Sequence, residues 1–187
     1  MIDSHCHLAD PKFNLDLQEV IFRAKDGGVT AMVTISDDVN EAKRCIAIAE
    51  EYNGIYCAVG LHPHNAKERS EGTQQMIRRL LQSSDKGRAV GESGLDYHYL
   101  NSPKDAQLTA FHDQLLIAKE LNLPVVVHCR DAIGDVRIIL DELRPEKLVL
   151  HCCTETWEDV KPLVDRGHML SFTGIATYPS SDAIRMT

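Results

Sequence analysis

No run of 18 apolar residues occurs in this 187-residue chain, which excludes a helical membrane span. No basic-then-apolar leader or Arg-rich transit segment opens it, because residue 1 leads straight into strand-like sequence. No CxxC pair occurs among its six cysteines at positions 6, 45, 57, 129, 152 and 153. That spacing argues against a disulfide framework and for reduced, packing thiols, so a cytoplasmic or nuclear location is expected. Positive charge is scarce as well, with 20 Lys and Arg against 28 Asp and Glu and a net charge of −8. A non-specific wrapper of nucleic acid is thereby disfavoured. A nucleic-acid enzyme is not, since bound divalent ions make a pocket locally attractive to phosphate. Ser/Gly/Pro-rich linkers, low-complexity tracts and charge blocks are missing too, so residues 1–187 are expected to form one domain.

What is present is alternation. Apolar, strand-like runs cover 1–8, 29–35, 55–61, 88–91, 124–128, 147–153 and 168–172. Between them lie apolar stripes at helical spacing: Leu15, Val20, Ile21 and Ala24; Cys45, Ile46, Ile48 and Ala49; Met76, Ile77, Leu80 and Leu81. Further stripes are Leu108, Phe111, Leu115 and Ala118; Val136, Ile139, Leu140 and Leu143; and Val160, Leu163 and Val164. Punctuation agrees. Gly27-Gly28 and Asn53-Gly54 end helices, Ser102-Pro103 is expected to cap and open the fourth, and Asn122-Leu123-Pro124 and Arg144-Pro145 stop two more.

Strand and helix in strict turn predict βαβ units and a parallel sheet. An open doubly wound sheet would carry a GxGxxG turn after its first strand, where this chain has His5-Cys6-His7. Candidate ligands at the ends of several strands favour a TIM-type (β/α)8 barrel, whose site gathers at the carboxyl ends. Seven strands are legible and a closed barrel of this kind has eight, so the barrel is expected to stop short of strand eight.

The residues that bear chemistry lie at those ends. His5 and His7, two apart on a strand, project from one face, and two adjacent buried imidazoles are costly unless their lone pairs are bound. Glu92 follows a Val-Gly strand end, an odd place for a solvated charge. His128 and His151 each close an apolar strand. His62 and His64 flank Pro63 on a loop, where an incidental surface turn is the bland alternative. Four histidines and one carboxylate converging on one rim would suit a transition-metal pair with the carboxylate between the ions.

These motifs resemble the TatD family of metal-dependent hydrolases. The matching pieces are Asp3-Ser4-His5-Cys6-His7-Leu8, Gly60-Leu61-His62-Pro63-His64, Gly91-Glu92-Ser93-Gly94-Leu95-Asp96-Tyr97, Pro124 through Ala132 with its Val-His128-Cys-Arg130 core, His151-Cys152, and Leu170-Ser171-Phe172-Thr173-Gly174. The resemblance implies a (β/α)8 barrel, two divalent ions (Mg, Mn or Zn) and phosphodiesterase chemistry on DNA, often as a 3′-to-5′ exonuclease. By that match His5 and His7 would hold the first ion, His128 and His151 the second, and Glu92, the catalytic carboxylate, would bridge them. The family also has an aspartate after strand eight on the first ion, and no such strand is legible here. Cys153 and Glu155 stand where the family usually has an aromatic residue and a glycine, which predicts a differently shaped loop after His151.

The expected reaction is hydrolysis by metal-activated water, with the ligand histidines neutral. Arg130, His62 and His64 are the candidate contacts to substrate phosphate, with a salt bridge from Arg130 to Asp131 or Asp135 as the rival role for that arginine. Asp3 is expected to orient a ligand histidine, and Asp96 and Tyr97 to support or line the pocket. DNA, single-stranded or at 3′ ends, is the expected partner of a monomer. Two rival readings keep the same centre or lose it: an ester or amide hydrolase such as an aminoacyl-tRNA deacylase, or an inactive form that acts by binding through the apolar edges of strands one and seven.

Overall fold

The computed structural model describes residues 1–187. Seven strands form one sheet: β1 (Ile2–Cys6), β2 (Ala31–Ile35), β3 (Ile55–Val59), β4 (Gly87–Asp96), β5 (Val125–Arg130), β6 (Leu148–His151) and β7 (Met169–Leu170). Their order in the sheet is their order in the chain, and each neighbouring pair is parallel. Helices occupy the connections: α1 (Leu17–Asp26), α2 (Val39–Glu51), α3 (Glu71–Ser83), α4 (Lys104–Leu121), α5 (Ile133–Leu143) and α6 (Trp157–Val164), with a short α7 (Asp182–Met186) after β7. This is the (β/α) barrel connectivity that the alternation predicts, with β1 and β7 as its two open edges. Ile2 and Met169, on those edges, are exposed.

The sheet is curled, and one contact measures it. His5 on β1 and His151 on β6 stack with ring centroids 3.4 Å apart. In a flat sheet five inter-strand steps would separate them by about 24 Å. The curl makes two unequal cores. On the convex side 35 buried residues, from Leu8 to Leu163, pack between sheet and helices. On the concave side Ile35, Ala58, Ala89 and Val126 make a small plug. Alternation along β5 and β6 then places His128 and His151 on the concave face, directly above Val126 and Val149.

Two irregularities decide the rest. The registers of β1 against β2 and of β4 against β5 each shift, between Asp3 and Cys6 and between Val90 and Ser93. An extra residue in one strand reverses which face its side chains take, and such bulges re-aim side chains at sites. In β4 the shift lets pairing run on to Asp96, so the strand is longer than the 88–91 expected, and it turns Glu92 into the bowl.

The helical stripes bury as expected with one exception. Leu15 precedes α1 and is fully exposed, because the chain is still in the turns after Pro11–Phe13. Ser102 does not cap α4. Pro103 takes that position without a side-chain bond, and Ser102 Oγ donates to His64 O (2.7 Å) and accepts from Lys67 N (3.1 Å). Asp3 does not orient an imidazole ring; its Oδ1 accepts from the His5 backbone amide at 3.1 Å. After His151 the unusual pair is accommodated: Cys153 is buried, and Glu155 Oε1 accepts from Cys129 Sγ at 3.5 Å.

Two glutamines of α4, seven residues apart and so on one helix face, tie the strand ends to the helix. Gln114 accepts from Leu61 N (2.7 Å) and donates to Leu61 O (2.9 Å). Gln107 accepts from Asp96 N (2.8 Å) and donates to Asp96 O (3.0 Å) and Ser102 O (2.8 Å). Gln107 is fully buried, so Gln107→Leu leaves three backbone groups unpaired. The expected cost is about 2–3 kcal/mol, a Tm lower by roughly 5–10 °C. Thermal melts against exposed Gln75→Leu check this, and equal melting points would show that the backbone finds other partners.

Candidate metal centre

Glu92 is the hub of the concave face. It is buried, with Oε2 3.2 Å from His5 Nε2, and with Oε1 3.0 Å from His128 Nδ1 and 3.9 Å from His62 Nε2. Burial alone would raise its carboxyl pKa. Hydrogen bonds from His128 and His5 overcome that and hold it well below the ordinary carboxylate range.

Three of the histidines are steered by a partner. His128 Nε2 meets Asp96 Oδ2 at 3.0 Å, and burial opposes its protonation less than the two carboxylates favour it, so its pKa is raised. His151 Nδ1 lies 3.2 Å from Ser171 Oγ, leaving Nε2 free, and burial together with nearby His5 lowers its pKa to about 4. His62 Nδ1 accepts from His64 N at 3.2 Å, which puts the ring proton on Nε2, and burial lowers its pKa to about 3. His62 and His151 are therefore neutral at pH 7.

His5, His7, Glu92, His128 and His151 all line one open cavity of about 400 Å³, with Asp37, His62, Cys152 and Thr173. His64 and Arg130 stand outside that wall. His64 Nε2 reaches the far side of the same Asp96 Oδ2 at 3.0 Å. Arg130 lies over the ring of half-exposed Tyr99, 4.8 Å from its centroid. The rival salt bridges are not made: Asp135 accepts from Tyr97 Oη (2.6 Å), and Asp131 meets His98 Nδ1 (3.1 Å).

The donor set fits divalent ions. Three triads of ligating atoms each lie within 4.8 Å: His5–Glu92–His151, His62–Glu92–His128 and His7–Asp37–Glu92. His5 Nδ1 is buried with no hydrogen-bond partner. Imidazole nitrogens and carboxylate oxygens gathered this closely are a donor set that a divalent cation would satisfy. Glu92 sits in all three triads, one oxygen toward each side. The sequence did not point to Asp37, which lacks a motif of its own and comes near only through the curl. Nor did it place His62 against Glu92, since a His-Pro-His loop reads equally well as surface.

A family model described as TatD related DNase matches residues 2–187. YabD of Bacillus subtilis, an uncharacterized metal-dependent hydrolase, is 38% identical over 183 residues, which is 97% of this chain and 71% of that protein. A protein of Pantoea ananatis named 3'-5' ssDNA/RNA exonuclease TatD is 35% identical over 178 residues, 93% of this chain and 68% of that one. Among solved structures, the TatD homologue YJJV of Escherichia coli superposes with a TM-score of 0.92 at 28% identity, covering 99% of this chain and 72% of its own. A TatD family hydrolase of Entamoeba histolytica gives 0.90 at 26%, covering 100% and 68%. A metal-capable bowl of histidines around one glutamate, on a barrel sheet shared with these proteins, makes the chain a member of the TatD family of metal-dependent hydrolases.

Proposed function

We propose that this chain, as one domain and a monomer, hydrolyses phosphodiester bonds of single-stranded DNA from the 3′ end, using two divalent ions of Mg, Mn or Zn. One observation carries the reading: the two oxygens of buried Glu92 face different histidines, His5 on one side and His128 on the other, as a bridging carboxylate requires. The 3'-5' exonuclease name of the Pantoea relative supports the substrate. Six free thiols suit the reducing cytoplasm.

In this reading His5 and His7 hold one ion, His128 and His151 the other, and Glu92 both. Bound there, the ions supply a lowered water pKa and neutralise charge on the phosphate. The protein's own part is positioning. Asp96 fixes the His128 ring and Ser171 fixes His151, so each presents one nitrogen to the bowl. His62, neutral and with its proton on Nε2, faces the bowl as a hydrogen-bond donor to a phosphate oxygen but brings no charge. His64 reaches the site through Asp96. Attraction for the phosphate backbone therefore falls to Arg130 at the rim. Arg130→Ala should raise KM for DNA about 10-fold or more with kcat nearly unchanged, the loss of one charge-assisted contact. A steady KM would leave Arg130 only its packing on Tyr99.

The decisive assay offers 5′-labelled single-stranded DNA and aminoacyl-tRNA side by side, with each metal and with a chelator. Stepwise shortening from the 3′ end that a chelator stops is the expected result. Deacylation without DNA cleavage would transfer the same centre to ester chemistry, and metal binding with neither activity would leave a binding protein.

A further inference from the structure

The loop from β2 to α2 carries an acidic residue whose backbone is fully engaged and whose side chain is not. Asp37 N donates to Glu41 Oε2 at 2.7 Å, while Asp37 O accepts from His62 N (2.9 Å) and Asn65 Nδ2 (3.1 Å). The cap of α2 is supplied by its neighbour, since Asp38 Oδ1 accepts from Asn40 N (2.7 Å) and Glu41 N (2.9 Å). No protein group donates to the half-buried Asp37 carboxylate, although it lies in the wall of the bowl. An oxygen of Asp37, an oxygen of Glu92 and a ring nitrogen of His7 lie within 4.8 Å of one another. Two carboxylates brought this close without a donor between them repel at a cost that a cation removes.

We propose that Asp37 is a metal ligand, adding a second carboxylate to the ion that His5, His7 and Glu92 hold in the reading above. The proposal rests on the metal-centre reading above and deepens it. It draws a ligand from the loop after β2, to which none of the sequence motifs assigns one. It also sets the preference of the seat. The ion of His128, His151 and Glu92 has two imidazoles and one carboxylate, whereas Asp37 gives the ion of His5, His7 and Glu92 a second carboxylate. Oxygen-rich sites suit Mn²⁺, and imidazole-rich ones suit Zn²⁺. The Asp37 seat is accordingly the Mn²⁺-preferring one of the bowl.

The test is a Mn²⁺ titration of the whole chain, following free Mn²⁺ by its electron-spin resonance, for wild type, Asp37→Asn, Asp37→Ser and Asp38→Asn. One Mn²⁺ equivalent should weaken at least about 10-fold in both Asp37 variants. Asp38→Asn, which keeps a capping side chain, should bind as wild type does. Metal-free melting points should hold or rise in the Asp37 variants, because that side chain accepts no hydrogen bond in the protein and its charge faces that of Glu92. Isotherms of both Asp37 variants that superimpose on wild type overturn the proposal and leave the Glu92 centre standing. A wild type that binds no Mn²⁺, Zn²⁺ or Mg²⁺ overturns both. Equal weakening in Asp38→Asn would assign the effect to the loop and sink the proposal.

Discussion

Glu92→Ala abolishes metal-dependent turnover, by at least about 10²-fold, and loosens every ion in the bowl at once. The size follows from position. Even an outer partner of a metal ligand is worth about 10–100-fold in affinity or activity, and Glu92 stands inside all three triads. Removing a residue proposed to hold one ion only, such as His7, should weaken one equivalent, whereas removing a shared carboxylate should weaken all of them together. Zn²⁺ and Mn²⁺ titrations read that difference directly, independently of any DNA assay. The variant also takes away the carboxylate that His5 and His128 both face, so the His5 ring is free to turn while Asp96 still holds His128. A Glu92→Ala protein that keeps two tight equivalents, or cleaves at the wild-type rate, would end the bridging role.

Gly94→Ala has the largest effect expected of any single methyl group in this fold. Gly94 has φ +140°, and a Cβ there would stand 2.0 Å from His128 O and 2.9 Å from His128 C. Both obstacles are backbone, so no side chain can move aside. β4 must separate from β5 where Gly94 and His128 are paired. Overpacking costs about 1–3 kcal/mol, and a strained φ adds a similar amount. A Tm lower by about 10 °C or more is expected. Moving His128 by about 1 Å should also cost roughly 10² in rate, through lost geometry at Glu92. Gly134→Ala is the natural control, because that glycine lies in α5 with nothing within 4 Å of a new Cβ. It should hold or raise Tm by the ordinary helical gain of Ala over Gly. Equal melting points for the two alanine variants would mean that the β4–β5 contact is slack.

How much of this was legible beforehand varies by residue, and the reason is the range of the interaction. The stripe Leu108, Phe111, Leu115 and Ala118 marks α4 because helical spacing is a local property, and three of these four are buried as the spacing implies. His128 and His151 were legible because an apolar run fixes which way the end of a strand faces. Leu15 misled because an apolar residue beside a helix looks the same as one inside it. Gln107 and Gln114 were invisible because a buried glutamine carries no sign of which backbone it holds. Ser102 had the right type for a helix cap, but a carbonyl 38 residues away in the chain, that of His64, claimed its hydroxyl.

By itself the amino-acid order determined the seven strands, the six helices between them and the histidines and glutamate at the carboxyl ends, all set by spacings of two and 3.6 residues. The tertiary structure alone decided which of those groups meet. The curl brings β1 against β6, the register shift in β4 turns Glu92 inward, and the loop after β2 adds Asp37 to the rim. Proximity between distant segments depends on how strands pair and how a sheet closes, and no local spacing encodes either.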